Sequence, residues 1–155
     1  MNVLSAGDEI VAAAGLYGGT VELFEDLEAF GITTKYVKEN RPESYEALIT
    51  DKTRVIFAET IGNPKLDVTD IGAVADMAHS HGLPLVIDNT VATPYLVKPL
   101  ELGTDVVVNS SSKYINGNSD AISGILTWGG KFQWDPERYP GLIPYKKFGP
   151  MAYVA

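Results

Sequence analysis

Pro84-Leu85-Val86-Ile87-Asp88-Asn89-Thr90 decides the fold: three apolar residues in a row, closed abruptly by a carboxylate. So short and uniform a run suits a strand buried on both faces, whereas a half-exposed strand would alternate apolar with polar. Working outward, runs of similar kind recur at residues 9–14, 35–37, 55–58, 106–108 and 122–127. Helical patterns lie between them. Thr20 is placed to cap a helix running to Phe30, with Val21, Phe24, Leu27 and Phe30 on one side and Gly31 as its stop. A short helix is expected at 44–49 and a longer one at 69–81. In the latter Ile71, Val74, Ala75 and Ala78 share a face, Asp67 and Asp70 sit at the start as caps, and Gly82 ends it. Strands alternating with helices define the class as α/β, a mostly parallel sheet flanked by helices. Residues 1–7 read as the last turn of a helix closed by Gly7.

The chain has 155 residues, a length that fits one domain. Residues 1–130 are expected to form it. Residues 131–155 are rich in proline, aromatics and charge without a clear period, and read as a connector. Twenty acidic against twelve basic residues argue against attraction to nucleic acid or to an anionic membrane surface. No apolar run is long enough to span a bilayer, and the first residues lack the basic and apolar regions of a secretory signal. Without cysteine there are no disulfides or thiolate metal sites, which agrees with a cytoplasmic setting. His79 and His81 lack further metal-ligating partners, so no metal is expected; their position at a helix end suits the helix dipole. A small-molecule partner is favoured.

Ligands of open α/β sheets gather at the carboxyl ends of the strands, so polar residues following the apolar runs are the first candidates. Gly15-Leu16-Tyr17-Gly18-Gly19-Thr20 is a glycine-rich loop entering a helix, suited to an anion or a flat ligand, or simply a turn with a packed tyrosine. Asp88 could cap the turn that follows it, or keep a ligand's ring nitrogen protonated, as a pyridoxal cofactor requires. Val106-Val107-Val108-Asn109-Ser110-Ser111-Ser112-Lys113 runs from a strand into three hydroxyls and an amine. A lysine at a strand end is usually a solvated group. Here hydroxyls able to hold a phosphate stand beside a nucleophile able to add to an aldehyde, and burial would favour the neutral amine that the addition needs. Asn63-Pro64 reads by itself as a turn.

Together, Leu16-Tyr17-Gly18-Gly19-Thr20, Glu59-Thr60-Ile61-Gly62-Asn63-Pro64, Val86-Ile87-Asp88-Asn89-Thr90 and Ser110-Ser111-Ser112-Lys113-Tyr114-Ile115-Asn116-Gly117 closely resemble the trans-sulfuration, or cysteine and methionine metabolism, family of pyridoxal-phosphate enzymes. The resemblance spans essentially the whole chain. It implies the large cofactor-binding domain of a fold-type I, aspartate aminotransferase-like enzyme, with pyridoxal 5'-phosphate as cofactor, an amino acid as substrate and a homo-oligomer as the assembled form. By motif, Lys113 matches the lysine that joins the cofactor and later moves protons, and Asp88 the carboxylate paired with its ring nitrogen. Tyr17 matches the ring stacked on the cofactor, with a part in catalysis. Asn63 matches the asparagine near the phenolic oxygen, and Ser110 and Ser112 the hydroxyls on the phosphate.

Within the family, Ile61-Gly62-Asn63-Pro64, the stretch from Trp134 to Tyr145 and Phe148-Gly149-Pro150-Met151-Ala152-Tyr153 are most similar to O-acetylhomoserine sulfhydrylases. That implies γ-replacement: O-acetyl-L-homoserine and sulfide, or a thiol, give homocysteine, or methionine, and acetate. Cystathionine γ-synthase and methionine or cystathionine γ-lyase are the alternatives. Members are longer, with a phosphate-binding turn before and a substrate-binding arginine after the part matched here, so the isolated chain is expected to be impaired. A binding or assembly module that keeps the fold without catalysis is the competing reading; a scaffold would need neither Lys113 nor Asp88.

Overall fold

The computed structural model describes residues 3–142; Phe148 to Tyr153 and the last part of the expected connector lie outside them. Six strands form one sheet: β1 (Glu9–Ala12), β2 (Thr33–Tyr36), β3 (Thr53–Glu59), β4 (Leu85–Asp88), β5 (Val106–Asn109) and β6 (Ile125–Trp128), in the order β2-β1-β3-β4-β5-β6. All neighbours are parallel except β6, which runs antiparallel to β5. The fold is therefore α/β with a mostly parallel sheet.

The main helices follow from the crossovers. α1 (Gly18–Asp26) links β1 to β2, and α3 (Ile71–Ser80) links β3 to β4. The two crossovers step in opposite directions across the sheet, so with the usual right-handed connection the helices lie on opposite faces. Phe24 of α1 meets Phe57 of β3 edge to face at 5.1 Å. Ile71, Val74, Ala75 and Ala78 of α3 share the core with Leu85 and Ile87 of β4. α2 (Pro42–Glu46) is a single turn that buries Tyr45. The short α4 (Thr93–Leu96) and a 3-10 turn (Pro99–Leu102), both unforeseen in the sequence, carry the chain from β4 to β5.

Several expectations need correction. Thr20 does not cap α1: the cap position is Tyr17, which makes no side-chain cap bond. Leu27–Phe30 tightens into a 3-10 turn, which swings Phe30 out of the apolar face to 58% exposure. Asp70 alone caps α3, accepting the Ala73 amide at 3.1 Å; Asp67 stays in the preceding loop against Gly15 and Gly62. Residues 3–8 hold a turn rather than a helix end, closed by the Asp8 amide on the Ser5 carbonyl at 3.1 Å. The histidines do more than suit a dipole, since His79 pairs with Asp105 at 2.8 Å and His81 with Glu46 at 3.0 Å.

Burial on both faces holds for β1 and most of β3, but not across the sheet. β4 and β5 alternate between buried and half-buried, and every residue of β6 is exposed. At the opposite end from the candidate site, residues 131–142 fold back on the sheet. Tyr139 is fully buried and its hydroxyl donates to the Arg54 carbonyl at 3.0 Å, while Phe132 and Trp134 pack edge-on against its ring. Arg138 donates to the carbonyls of His81 and Thr53 at 2.9 and 3.0 Å.

Candidate active site

From β1 the chain turns toward β2, and from β3 toward β4, so the loops after these neighbouring strands diverge and leave a crevice at their carboxyl ends. The β1 loop passes through Gly15 and the buried Leu16 to Tyr17 at the mouth of α1. The β3 loop closes onto it: the Asn63 amide donates to the Gly15 carbonyl at 3.0 Å, and the Gly62 amide to the Asp67 carbonyl at 2.9 Å. A side chain at position 62 would meet the Gly15 carbonyl oxygen at 2.7 Å, so only glycine lets the two loops touch. That approach sets Asn63 beside the tyrosine loop.

β4 and β5 supply the remaining groups. Asp88 fulfils the plain expectation of a cap, its Oδ1 accepting the Thr90 amide at 2.9 Å, and it also lines the cavity; its other oxygen has no hydrogen bond among the described residues. Behind it the fully buried Asn89 accepts the Thr60 hydroxyl at 2.7 Å and donates to the Val97 carbonyl at 3.0 Å, which ties the strand ends together. The Thr90 hydroxyl accepts the Ser110 amide at 2.7 Å. After β5 the backbone coils tightly, with the Lys113 amide on the Ser110 carbonyl at 3.2 Å and the Gly117 amide on the Lys113 carbonyl at 2.9 Å. Lys113 is thereby brought back over the strand ends.

The result is a cavity of about 450 Å³ whose lining includes Tyr17, Glu59, Asn63, Asp88, Ser110 and Lys113. Five of the six residues singled out in the sequence therefore converge. Ser112 stands apart: its hydroxyl donates to the Ser123 carbonyl at 3.0 Å and accepts the Ser123 amide at 2.9 Å, which staples the turn after β5. The burial expected around Lys113 is not supplied by the described residues, since its side chain is exposed and makes no ion pair among them.

Glu59 is the residue that sequence reasoning passed over. It closes β3 as Asp88 closes β4, and is only 5% exposed. Burial pushes its carboxyl up to about 7, opposed by the Tyr17 amide and reinforced by the charge of Asp88. The signal was present, an acid at the end of a long apolar strand, but no role had been attached to it.

A carboxylate oxygen, an amine, a hydroxyl and an aromatic ring around one cavity can hold a flat ring that bears a basic nitrogen, an aldehyde and a phosphate. The donor set fits pyridoxal 5'-phosphate. The comparisons with known proteins agree. An O-acetyl-L-homoserine sulfhydrylase of Leptospira meyeri is 47% identical over 96% of this chain and 36% of its own length. An L-methionine gamma-lyase of Porphyromonas gingivalis is 45% identical over 79% of this chain and 31% of its own. A solved structure of a putative O-acetylhomoserine (thiol)-lyase from Campylobacter jejuni, holding pyridoxyl-lysine phosphate, superposes with a TM-score of 0.88 at 33% identity, over 95% of this chain and 37% of that one. The chain thus spans about a third of the length of the curated relatives it matches. Residues 1–146 match the model of the Cys/Met metabolism PLP-dependent enzymes, and with identities of this size the chain belongs to that family.

Proposed function

We propose that this chain is the cofactor-holding core of an enzyme that replaces the acetate of O-acetyl-L-homoserine with sulfide, giving homocysteine, or with a thiol, giving methionine. The observation that carries the reading is the convergence of Tyr17, Asn63, Asp88, Ser110 and Lys113 on one cavity at the carboxyl ends of β1, β3, β4 and β5. When bound, pyridoxal phosphate supplies an electron sink for charge developing on the substrate. The chain's own groups do the rest. Lys113 holds the cofactor through its amine and moves protons at the substrate carbons. Asp88 presents its unengaged oxygen to the ring nitrogen, Tyr17 covers the ring, Asn63 donates near the phenolic oxygen, and Ser110 donates to the phosphate. Ser112 joins the phosphate only if the Ser123 staple opens.

Relatives named as sulfhydrylases support replacement, while the similarly related methionine gamma-lyase keeps elimination as the second reading. With the function go residues 1–130 as the cofactor domain, residues 131–155 as a connector, a homo-oligomeric assembly and a cytoplasmic setting. No helix among the described residues is long and apolar enough to cross a membrane.

The test is covalent. Pyridoxal phosphate is added to the purified chain, the bond to lysine is fixed with borohydride, and the labelled peptide is mapped beside a Lys113→Ala control. Label confined to Lys113 is expected; label spread over surface lysines, or none, would leave the family membership standing but count against this chain by itself as a cofactor-holding core and shift the weight to the non-catalytic reading. Homocysteine formed from O-acetylhomoserine and sulfide by the labelling-competent protein supports replacement, and release of a keto acid without homocysteine supports the lyase.

A further inference from the structure

The cavity holds a buried acid without a place in the chemistry above. Glu59 is in register with Asp88 on the neighbouring parallel strand, so both side chains leave the same face of the sheet. Glu59 has no cationic partner among the described residues. What it has is the backbone amide of Tyr17, which donates to its Oε1 at 2.6 Å across 42 positions of sequence. Tyr17 makes no side-chain cap bond and is half exposed; its carbonyl accepts the Thr20 and Val21 amides at 2.9 and 3.1 Å, so Glu59 is what engages the amide side of the residue.

We propose that Glu59 is a positioning residue of this site: its carboxyl grips the Tyr17 amide and so sets where the tyrosine ring stands against a bound pyridoxal ring. The inference rests on the cofactor reading above and adds a residue to it. Two carboxylates side by side at strand ends divide their roles, because charging both in a partly dry site is costly. Asp88 has the Thr90 amide to support its charge. Glu59 is the more buried of the pair, and the charges of Asp88 on β4 and Asp67 in the β3 loop push its carboxyl the same way as burial does, up to about 7, against the Tyr17 amide. A neutral carboxyl keeps a carbonyl oxygen to accept the amide and brings no second negative charge beside the ring nitrogen's partner. Glutamine has the same shape, the same acceptor and no charge.

The experiment compares wild type, Glu59→Gln and Glu59→Ala in the full chain with two readouts. The first is the visible circular dichroism of bound pyridoxal phosphate, which reports the setting of its ring. Glu59→Gln is expected to retain the band and the affinity. Glu59→Ala, which leaves the Tyr17 amide unsatisfied, is expected to lose most of the band and bind about tenfold more weakly. The second readout needs no cofactor: the amide proton resonance of Tyr17 should titrate near neutral pH in wild type and not in Glu59→Gln. A wild-type band and affinity in Glu59→Ala would overturn the proposal, as would a wild-type Tyr17 amide indifferent to pH. Should Glu59→Ala not fold, the amide titration of wild type against Glu59→Gln decides. Should wild type take up no cofactor, the function proposed above fails, and the same titration still decides whether Glu59 holds Tyr17.

Discussion

Glu59 makes the stability of the chain depend on pH in a direction opposite to that of most acids. Its carboxyl ordinarily titrates at 4.5 and in the fold at about 7, because burial and the neighbouring charge of Asp88 disfavour the ionised form against the pull of the Tyr17 amide. Between those values the folded chain keeps a proton that the unfolded chain has released, so stability falls as pH rises. The contribution of the neutral acid is fully present below the unfolded value and lost as pH passes through about 7. Glu59→Gln should flatten that decline, read as the urea midpoint at a series of pH values; an unchanged slope would assign it to other groups. At this scale Asp88 was legible because it closes an apolar run at once, where a strand must end, and Lys113 because it follows such a run through a short stretch of hydroxyls. Ser112 was legible as a hydroxyl beside the lysine, but its staple to Ser123 depends on a pairing eleven residues away that spacing does not encode. Glu59 carried the same mark as Asp88, and only the fold reveals its partner, 42 residues back.

Helix starts show why some elements were readable and others were not. α3 begins at a local signal, Asp70 accepting the amide of Ala73, and its apolar spacing locates the buried face. Asp70→Ala should therefore cost about 1 kcal/mol, measured by chemical denaturation. Thr20→Ala should stay within about 0.5 kcal/mol of wild type, since Thr20 caps nothing. A Thr20→Ala loss equal to that of Asp70→Ala would restore the cap that the local sequence pattern implied. α1 has no such local mark, because the Thr20 and Val21 amides are met by the Tyr17 carbonyl and the Tyr17 amide by a glutamate from another strand. Tertiary anchoring of this kind leaves no spacing to read. The six strands, by contrast, were all legible in order: five carry a run of apolar residues between turn signals, which is a property of the strand itself, and β2, Thr33–Tyr36, is marked by β-branched and aromatic residues instead.

Across the whole molecule, the pattern of apolar runs and the pattern of burial part company toward one side of the sheet. The run at residues 122–127 read as a strand like the others, and β6 does pair with β5, yet Ile122, Leu126 and Trp128 are 100%, 70% and 51% exposed. β6 is also an edge, with no strand paired to its outer side among the described residues. Residues of this kind are rarely left facing water, and an apolar edge strand is a template for association. The chain on its own should therefore self-associate, with a sedimentation coefficient that rises with concentration. Leu126→Lys combined with Trp128→Lys should return it toward the monomer, because charges on an edge oppose strand addition while the parallel core from β2 to β4 is untouched. Sedimentation independent of concentration in the unmodified chain would show that β6 is tolerated as it stands. In that case association through β6 could not account for a failure of Lys113 to take up cofactor, and the exposed strand would be a feature the isolated chain carries without penalty.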